Sequence, residues 1–178
     1  MIIVIGGTPG SGKSTVVGLL SERRGLAVVS SGSMFRDEAV RRGMTLEEFG
    51  AFAQKHHEVD QELDGKVTKE VLERGQKESL IVDSRLQAYL LQREGAIFFG
   101  VHIDAPIDVR ARRVAEREAK TAGQALREIR ERERSERTRY LDIYKIDITD
   151  LSVYDITIDS GEKTAEEVAE LIWSKVQV

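Results

Sequence analysis

The run Met1-Ile-Ile-Val-Ile-Gly-Gly-Thr-Pro-Gly-Ser-Gly-Lys-Ser-Thr15 decides the fold of this chain. Residues 1–5 are apolar and mostly β-branched, which is typical of a strand buried on both faces of a parallel sheet. Residues 7–14 fit the pattern G-x-x-x-x-G-K-[ST], and an amphipathic helical pattern follows from residue 13. A strand, a glycine-rich loop and a helix in this order predict a phosphate-binding loop.

The chemistry of this loop follows from its residue types. Glycines let the backbone curl around an anion, and the helix that follows adds the positive end of its dipole. Lys13 is expected to reach the outer phosphates of a nucleotide, and Ser14 is expected to bind Mg²⁺. The loop alone does not identify the phosphoryl acceptor, because kinases, GTPases and regulatory ATPases share it. The chain has no Asn-Lys-x-Asp segment, so a GTPase is disfavoured.

The remaining pattern alternates short apolar runs with helical segments. This alternation predicts one α/β domain over residues 1–178, with the P-loop NTPase fold: a five-stranded parallel sheet with helices on both faces. The expected strands are 1–5, 27–30, 80–83, 97–104 and 155–159. The expected helices are 13–24, 33–42, 45–55, 60–73, 107–120, 124–144 and one from 164 onward.

Composition excludes several classes of protein. The 178 residues carry a formal charge of −4 and contain no cysteine, so disulfides and thiolate metal sites are excluded. No apolar run approaches the ~20 residues that span a bilayer, and no basic segment precedes the first strand, so we expect a cytoplasmic protein without a membrane partner. The charge is distributed unevenly along the chain: residues 108–142 contain eleven basic and eight acidic residues. A solvated helix is the ordinary interpretation of such a run, and the acidic remainder argues against long nucleic acid.

Two further cationic positions follow predicted strands. Ser30-Ser-Gly-Ser-Met-Phe-Arg36 opens a helix with small residues, so Ser31 and Gly32 let backbone donors approach an anion, and Arg36 can turn toward it. Arg85 follows the third strand, at the carboxyl end of the sheet where ligands of open α/β folds bind. Asp83, which ends that strand, is a candidate ligand of Mg²⁺ or of its waters.

The arginine-rich segment supplies a third set of cations. Arg113 and Arg117 lie four residues apart, and Arg132, Glu136 and Arg139 share a helical face. A mobile lid with these arginines would stabilise the transition state of phosphoryl transfer and exclude water. No general base is evident, and His56, His57 and His102 are interpreted as structural. A phosphate monoester is already ionised at neutral pH, so an acceptor phosphate is favoured over a hydroxyl.

With these features the chain resembles the archaeal-type cytidylate kinases, a group of nucleoside monophosphate kinases, from end to end. The phosphate loop is common to many families, whereas two other stretches are more specific to this one: Arg132-Glu-Arg-Ser-Glu-Arg-Thr-Arg-Tyr140 and Tyr144-Lys-Ile-Asp-Ile-Thr-Asp-Leu-Ser-Val-Tyr-Asp155. The resemblance implies transfer of the γ-phosphoryl group of ATP to CMP or dCMP, with Mg²⁺.

The resemblance also implies a role for each matching position. ATP phosphates would be held by Gly7, Thr8, Pro9, Gly10, Ser11, Gly12, Lys13, Ser14 and Thr15, and Arg113 would lie by adenine. The catalytic cations would be Lys13, Arg117, Arg132 and Arg139. The CMP side would comprise Arg36, Arg85, Ser31, Gly32 and Glu136. We also expect the single domain to contain a monophosphate-binding insertion (about 33–75) and a lid (about 113–140). Asp60 and Asp64 are candidates to accept from the cytosine amine, although such carboxylates are more often surface charges.

Two departures and two alternatives accompany this interpretation. Ser84 stands where the motif after the third strand commonly has glycine, and Ser33 stands where many adenylate kinases have aspartate. An AMP or UMP kinase is the alternative within the class, and a P-loop regulatory or assembly ATPase is the alternative outside it. A monomer or a weak homodimer is expected.

Overall fold

A single parallel sheet organises the molecule, whose computed structural model describes residues 1–176. Its strands lie in the order β2-β3-β1-β4-β5, and all four neighbouring pairs are parallel. The strands are β1 (Ile2–Gly7), β2 (Ala27–Ser30), β3 (Leu80–Asp83), β4 (Phe99–Asp104) and β5 (Ile156–Asp159). This arrangement confirms the predicted fold class.

Helices connect the strands and cover both faces of the sheet. They are α1 (Lys13–Arg24), α2 (Ser31–Arg41), α3 (Leu46–Lys55), α4 (His57–Gly75), α5 (Gln87–Arg93), α6 (Ile107–Glu118), α7 (Ala122–Tyr144) and α8 (Ala165–Val176), with a 3₁₀ turn at Leu151–Val153. Within the described residues, no helix is long and apolar enough to span a membrane.

Most predicted elements are confirmed, and the differences have physical reasons. Helix α5 was not predicted, because its seven residues have neither a capping side chain nor a full amphipathic repeat. Strand β4 begins at Phe99 rather than at 97, and Ile97 is 93% exposed despite its apolar side chain. Helix α2 begins two residues early, since the Ser30 hydroxyl accepts a hydrogen bond from the Ser33 amide and caps it there.

Alternate residues of the strands face two separate cores. Ile3, Ile5 and Ile103 pack against α1 and α8, whereas Val4 and Val82 pack toward α4, α5 and the 3₁₀ turn. Because helices cover both faces of the sheet, ligands can reach it at the amino or carboxyl ends of the strands. The phosphate loop follows β1 at the carboxyl edge, and so do the loops after β2, β3, β4 and β5.

Two smaller apolar clusters lie outside the main cores. One joins α2, α3 and α4 around Phe49, and the other joins α6 to α7 around Val114 and Ile129. Capping boxes at Thr45 and Thr121 start α3 and α7. A capping box fixes the residue at which a helix begins. The functional division of the chain into a monophosphate-binding insertion and a lid stays a prediction.

Candidate active site

The phosphate loop, residues 7–14, joins the end of β1 to the start of α1. Gly10 and Gly12 have φ values of +83° and +87°, in the left-handed region that favours glycine. Gly12 precedes α1 without a side-chain cap, so the amide groups of the first turn are available to an anion. A sulfate or phosphate at such a terminus is stabilised by both hydrogen bonds and the helix dipole.

Lys13 and Asp83 form an ion pair in the floor of the site. Their side chains are only 14% and 11% exposed. Burial, aided by the charges of Arg85 and Arg132, lowers the pKa of Lys13 to about 7. The nearby Glu136 carboxylate acts in the opposite direction and raises the pKa of Lys13.

The oxygen donors near this pair fit a magnesium ion that arrives with a nucleotide. Ser14 presents an exposed hydroxyl on the first turn of α1, and Asp83 presents a carboxylate at the end of β3. The described residues contain no group of three or more His, Asp or Glu that would hold a metal alone. Mg²⁺ commonly takes one or two protein oxygens together with phosphate oxygens and water, which is the set available here.

Arg85 and Arg132 converge on one carboxylate, that of Glu136. Arg85 Nη1 is ion-paired with Glu136 Oε2, and Arg132 Nε donates to Glu136 Oε1 over 2.9 Å. Burial opposes ionisation of Glu136, but the neighbouring guanidinium groups outweigh it and lower the pKa of the carboxyl. The structure thus brings together an arginine from the β3 loop and an arginine from α7, and their roles toward a nucleotide stay a prediction.

Asp60 and Asp64 lie on α4 against the end of α7. Arg139 Nε is 3.1 Å from Asp60 Oδ2, and the Tyr144 hydroxyl donates to Asp64 Oδ2 over 2.6 Å. Asp60 is buried and Asp64 is half-buried, so the interpretation of both as surface charges is wrong. Burial raises the pKa of Asp60, and it raises that of Asp64 to about 6.

The start of α2 adds a fifth cation, Arg36. Arg36 Nη2 donates to the Ser33 hydroxyl over 3.0 Å, beside Ser31 and Gly32 in the first turn. A Cβ on Gly32 would lie 3.5 Å from Arg36 Nη1, so the guanidinium folds back over that turn. The Arg36 charge is also one of the smaller contributions to the lowered pKa of Lys13.

Of the two arginines predicted for the donor side, only Arg113 reaches the phosphate loop. Its guanidinium donates to the Ser160 carbonyl over 2.7 Å and to the Ser11 carbonyl over 3.4 Å. Arg117 instead contacts Glu118 over 2.5 Å, and its side chain is 66% exposed. The two share a helix without sharing an environment, and a role for Arg117 at the transferring phosphate stays a prediction.

Several residues of this region were missed by sequence reasoning. Tyr144 and Ser160 hold site residues through hydrogen bonds, and Arg110 is buried against the phosphate loop. Ser160 follows β5 directly, so its place at the carboxyl edge was the signal that could have found it. Tyr144 and Arg110 carried no such signal, because their partners are distant along the chain.

A cavity of about 580 Å³ adjoins the site between the phosphate loop, β4 and α7. Arg85, Glu136, His102 and Tyr154 are among its lining residues, and the rings of His102 and Tyr154 have centroids 5.2 Å apart. Burial lowers the pKa of His102, which keeps its imidazole neutral at pH 7. This volume lies within the range of small-ligand pockets.

Comparison with known proteins identifies a family to which this chain is similar. The model of the cytidylate kinase-like family matches residues 2–162. The cytidylate kinase of Methanocaldococcus jannaschii is 38% identical over 181 residues, covering 99% of this chain and 97% of that protein. The cytidylate kinase of Methanobrevibacter smithii is 40% identical over 178 residues, covering 100% and 99%.

Solved structures agree at the level of the fold. An uncharacterized protein from Eubacterium ventriosum superposes with a TM-score of 0.75 at 20% identity, covering 99% of this chain and 98% of that one. A shikimate kinase from Acinetobacter baumannii in complex with shikimate superposes with a TM-score of 0.60 at 19% identity, covering 99% and 92%. With the family match over most of its length and these relatives along all of it, the chain belongs to the cytidylate kinase-like family.

Proposed function

We propose that this protein is a cytidylate kinase, which transfers the γ-phosphoryl group of ATP to CMP or dCMP and yields ADP and CDP or dCDP. The observation that carries the proposal is the convergence of Arg85 and Arg132 on the buried Glu136 carboxylate, close to the Lys13–Asp83 pair. Paired guanidinium groups suit a second phosphate, which a simple ATPase does not need. The two relatives named cytidylate kinase support the same activity.

The acceptor phosphate is assigned to Arg36 and Arg85. Arg85 is held by a carboxylate, and a phosphate dianion can replace that partner with two parallel hydrogen bonds. Ser31 and Gly32 supply backbone donors from the first turn of α2. Glu136, Asp60 and Asp64 are left to bind the nucleoside, with the two aspartates as acceptors for the cytosine amine.

The donor phosphates are assigned to the phosphate loop, residues 7–15. Lys13 would neutralise the outer phosphates, while Arg113, held against Ser160, would lie by adenine. Ser14 and Asp83 would hold Mg²⁺ directly or through its waters. The ion, when bound, neutralises charge on the phosphate oxygens as the transferring group moves.

Phosphoryl transfer needs alignment and positive charge more than covalent help. An oxygen of the ionised CMP phosphate attacks the γ-phosphorus of ATP, and the bond from that phosphorus to the β–γ bridging oxygen breaks. Arg117, Arg132 and Arg139 would stabilise the charge that spreads over the equatorial oxygens. Closure of the lid, about 113–140, over the insertion, about 33–75, would exclude water and prevent hydrolysis of ATP.

The experiment is an ADP-release assay with CMP, dCMP, UMP, AMP and GMP as acceptors. We expect CMP and dCMP to stimulate ADP formation far above the rate with ATP alone. A preference for AMP or UMP would assign the chain to another monophosphate kinase. Slow hydrolysis that no monophosphate stimulates, but that a protein or RNA does, would instead support a regulatory ATPase. Sedimentation of the same samples tests the expected monomer or weak homodimer, and the cytoplasmic location stays a prediction.

A further inference from the structure

Arg110, in the first turn of α6, carries a buried guanidinium group that the roles above do not use. The residue is 7% exposed. Its Nε donates to the Ala105 carbonyl over 2.8 Å. Its Nη1 donates to the Pro9 carbonyl over 3.3 Å and to Glu133 Oε1 over 2.6 Å. One side chain therefore touches the β4–α6 connection, the phosphate loop and α7.

The contact with Pro9 has a geometric consequence for the phosphate loop. In a planar trans peptide the carbonyl and the next N–H point in opposite directions. Holding the Pro9 carbonyl toward Arg110 therefore turns the Gly10 amide away from α6. Gly10 adopts φ +83°, and a Cβ there would lie 2.9 Å from the Arg110 carbonyl oxygen, so α6 packs directly on the loop.

A second carbonyl of the loop is held from outside in the same way. The Ser11 carbonyl accepts from the Ser160 hydroxyl over 2.8 Å and from Arg113 over 3.4 Å. This orients the following peptide, whose N–H belongs to Gly12. Glycine-rich backbone has little intrinsic preference for one peptide orientation. External donors on alternate carbonyls supply that preference, and donors oriented in advance stabilise an anion most.

Glu133 extends the contact to the helix that carries the phosphate-binding arginines. It precedes Glu136 by one turn of α7 and follows Arg132 directly. Its carboxylate reaches Arg110 from a position that is about one-third exposed. Thus the Arg110 guanidinium joins the phosphate loop to α7. A shift of the loop changes the hydrogen bonds available to α7, and a shift of α7 changes those available to the loop.

We propose that Arg110 is a positioning residue: it orients the Gly10 amide toward the donor phosphates and, through Glu133, couples the phosphate loop to α7. The proposal rests on the proposed function only in taking residues 7–15 as the donor-phosphate site. It adds a residue that touches neither nucleotide. This residue is required for tight binding of the donor nucleotide but not for binding of the acceptor.

The test compares ADP and CMP affinity by calorimetry in Arg110→Lys, which keeps the charge but cannot present the same planar set of donors. We expect the dissociation constant for ADP to rise about tenfold, a modest part of the effect of deleting an oriented donor. The constant for CMP should stay within about twofold, because Arg36 and Arg85 are untouched. Equal loss of ADP and CMP affinity, or no loss of either, would overturn the proposal.

Glu133→Ala tests the coupling in a variant whose change lies near the surface. ADP affinity should fall about threefold in the wild-type background and not change further in Arg110→Lys, as expected for residues acting through one contact. The same decrease in both backgrounds would refute the coupling. Matched controls are Arg112→Lys and Glu131→Ala, exposed neighbours on α6 and α7. ADP binding needs no turnover, so these outcomes remain decisive if the acceptor assay identifies another monophosphate, which then replaces CMP.

Discussion

Arg85 and Glu136, 51 residues apart in the chain, form a buried ion pair between the β3 loop and the middle of α7. The guanidinium assigned to the acceptor phosphate is thus held by a carboxylate of the same protein. Binding of the acceptor then exchanges one anion for another around Arg85 and does not bring a charge to an unpartnered arginine. Such an exchange makes affinity depend on how firmly Glu136 is held.

Glu136→Gln should strengthen the binding of inorganic phosphate. The substitution removes the negative charge that competes for Arg85 and Arg132 while keeping a hydrogen-bond acceptor of the same size. We expect the inhibition constant of phosphate against CMP to fall about tenfold, equivalent to ~1.4 kcal/mol. Inhibition kinetics measure it, with exposed Glu131→Gln as the control. An unchanged constant would mean that Glu136 does not compete for the acceptor site.

Arg85→Lys should weaken the acceptor side selectively. Lysine keeps the charge but loses the planar, two-pronged geometry that matches a phosphate. We expect the KM for CMP to rise about 10- to 100-fold, the range for a hydrogen bond between charged groups. The KM for ATP should change by less than about twofold. Steady-state kinetics with each substrate varied in turn measure both constants. A rise of similar size in the KM for CMP and the KM for ATP would contradict the assignment.

Asp83→Asn should move the alkaline limb of the pH profile for ATP. Burial, together with the charges of Arg85 and Arg132, lowers the pKa of Lys13 to about 7. The Asp83 carboxylate contacts the Lys13 amine, and an adjacent carboxylate favours the charged form of an amine. Without that carboxylate Lys13 loses its proton at lower pH, so kcat/KM for ATP declines from a lower pH than in the wild type.

The same variant should need more Mg²⁺ for half-maximal rate, because one of the two assigned oxygen donors loses its charge. Rate measurements across pH and Mg²⁺ concentration test both effects. Asp108→Asn, a change at an exposed position of α6, serves as the control. An unaltered limb together with an unaltered Mg²⁺ requirement would remove Asp83 from the donor site.

Asp64→Asn should stabilise the folded protein above pH 6. The pKa of Asp64 is raised from 3.8 to about 6, so the folded state binds more protons than the unfolded state between these values. The free energy of unfolding therefore falls as the pH rises through this window, and the penalty is complete above it. Asparagine is neutral throughout and can still accept from Tyr144.

We expect a gain of about 1–2 kcal/mol at pH 7.5 and little change at pH 4, measured by urea unfolding. This size allows for the partial exposure of Asp64. A gain of equal size at both pH values would show that burial of the charge is not its cause, and exposed Asp108→Asn again provides the comparison.

Local patterns were sufficient to predict most of the fold. The β-branched run before Gly7, the glycine spacing up to Lys13 and the capping box at Thr45 each act over a few residues, so their consequences can be derived from neighbours alone. Helix α5 lacks such a pattern. Its apolar residues are buried by contacts with α4, β1 and the 3₁₀ turn. Its existence depends on packing and not on its own propensity.

The sequence by itself determined a phosphate loop at the end of a central strand, an α/β sheet, and helical faces on which Arg132, Glu136 and Arg139 lie together. Spacing along a helix tells which residues share a face, because 3.6 residues make a turn. It does not tell what that face meets. Only the tertiary structure decided that Arg85 contacts Glu136, that Asp60 is buried against Arg139, and that Arg110 touches Pro9. These contacts join distant segments, and they exist because the packing of α4, α6 and α7 brings those segments within hydrogen-bond distance.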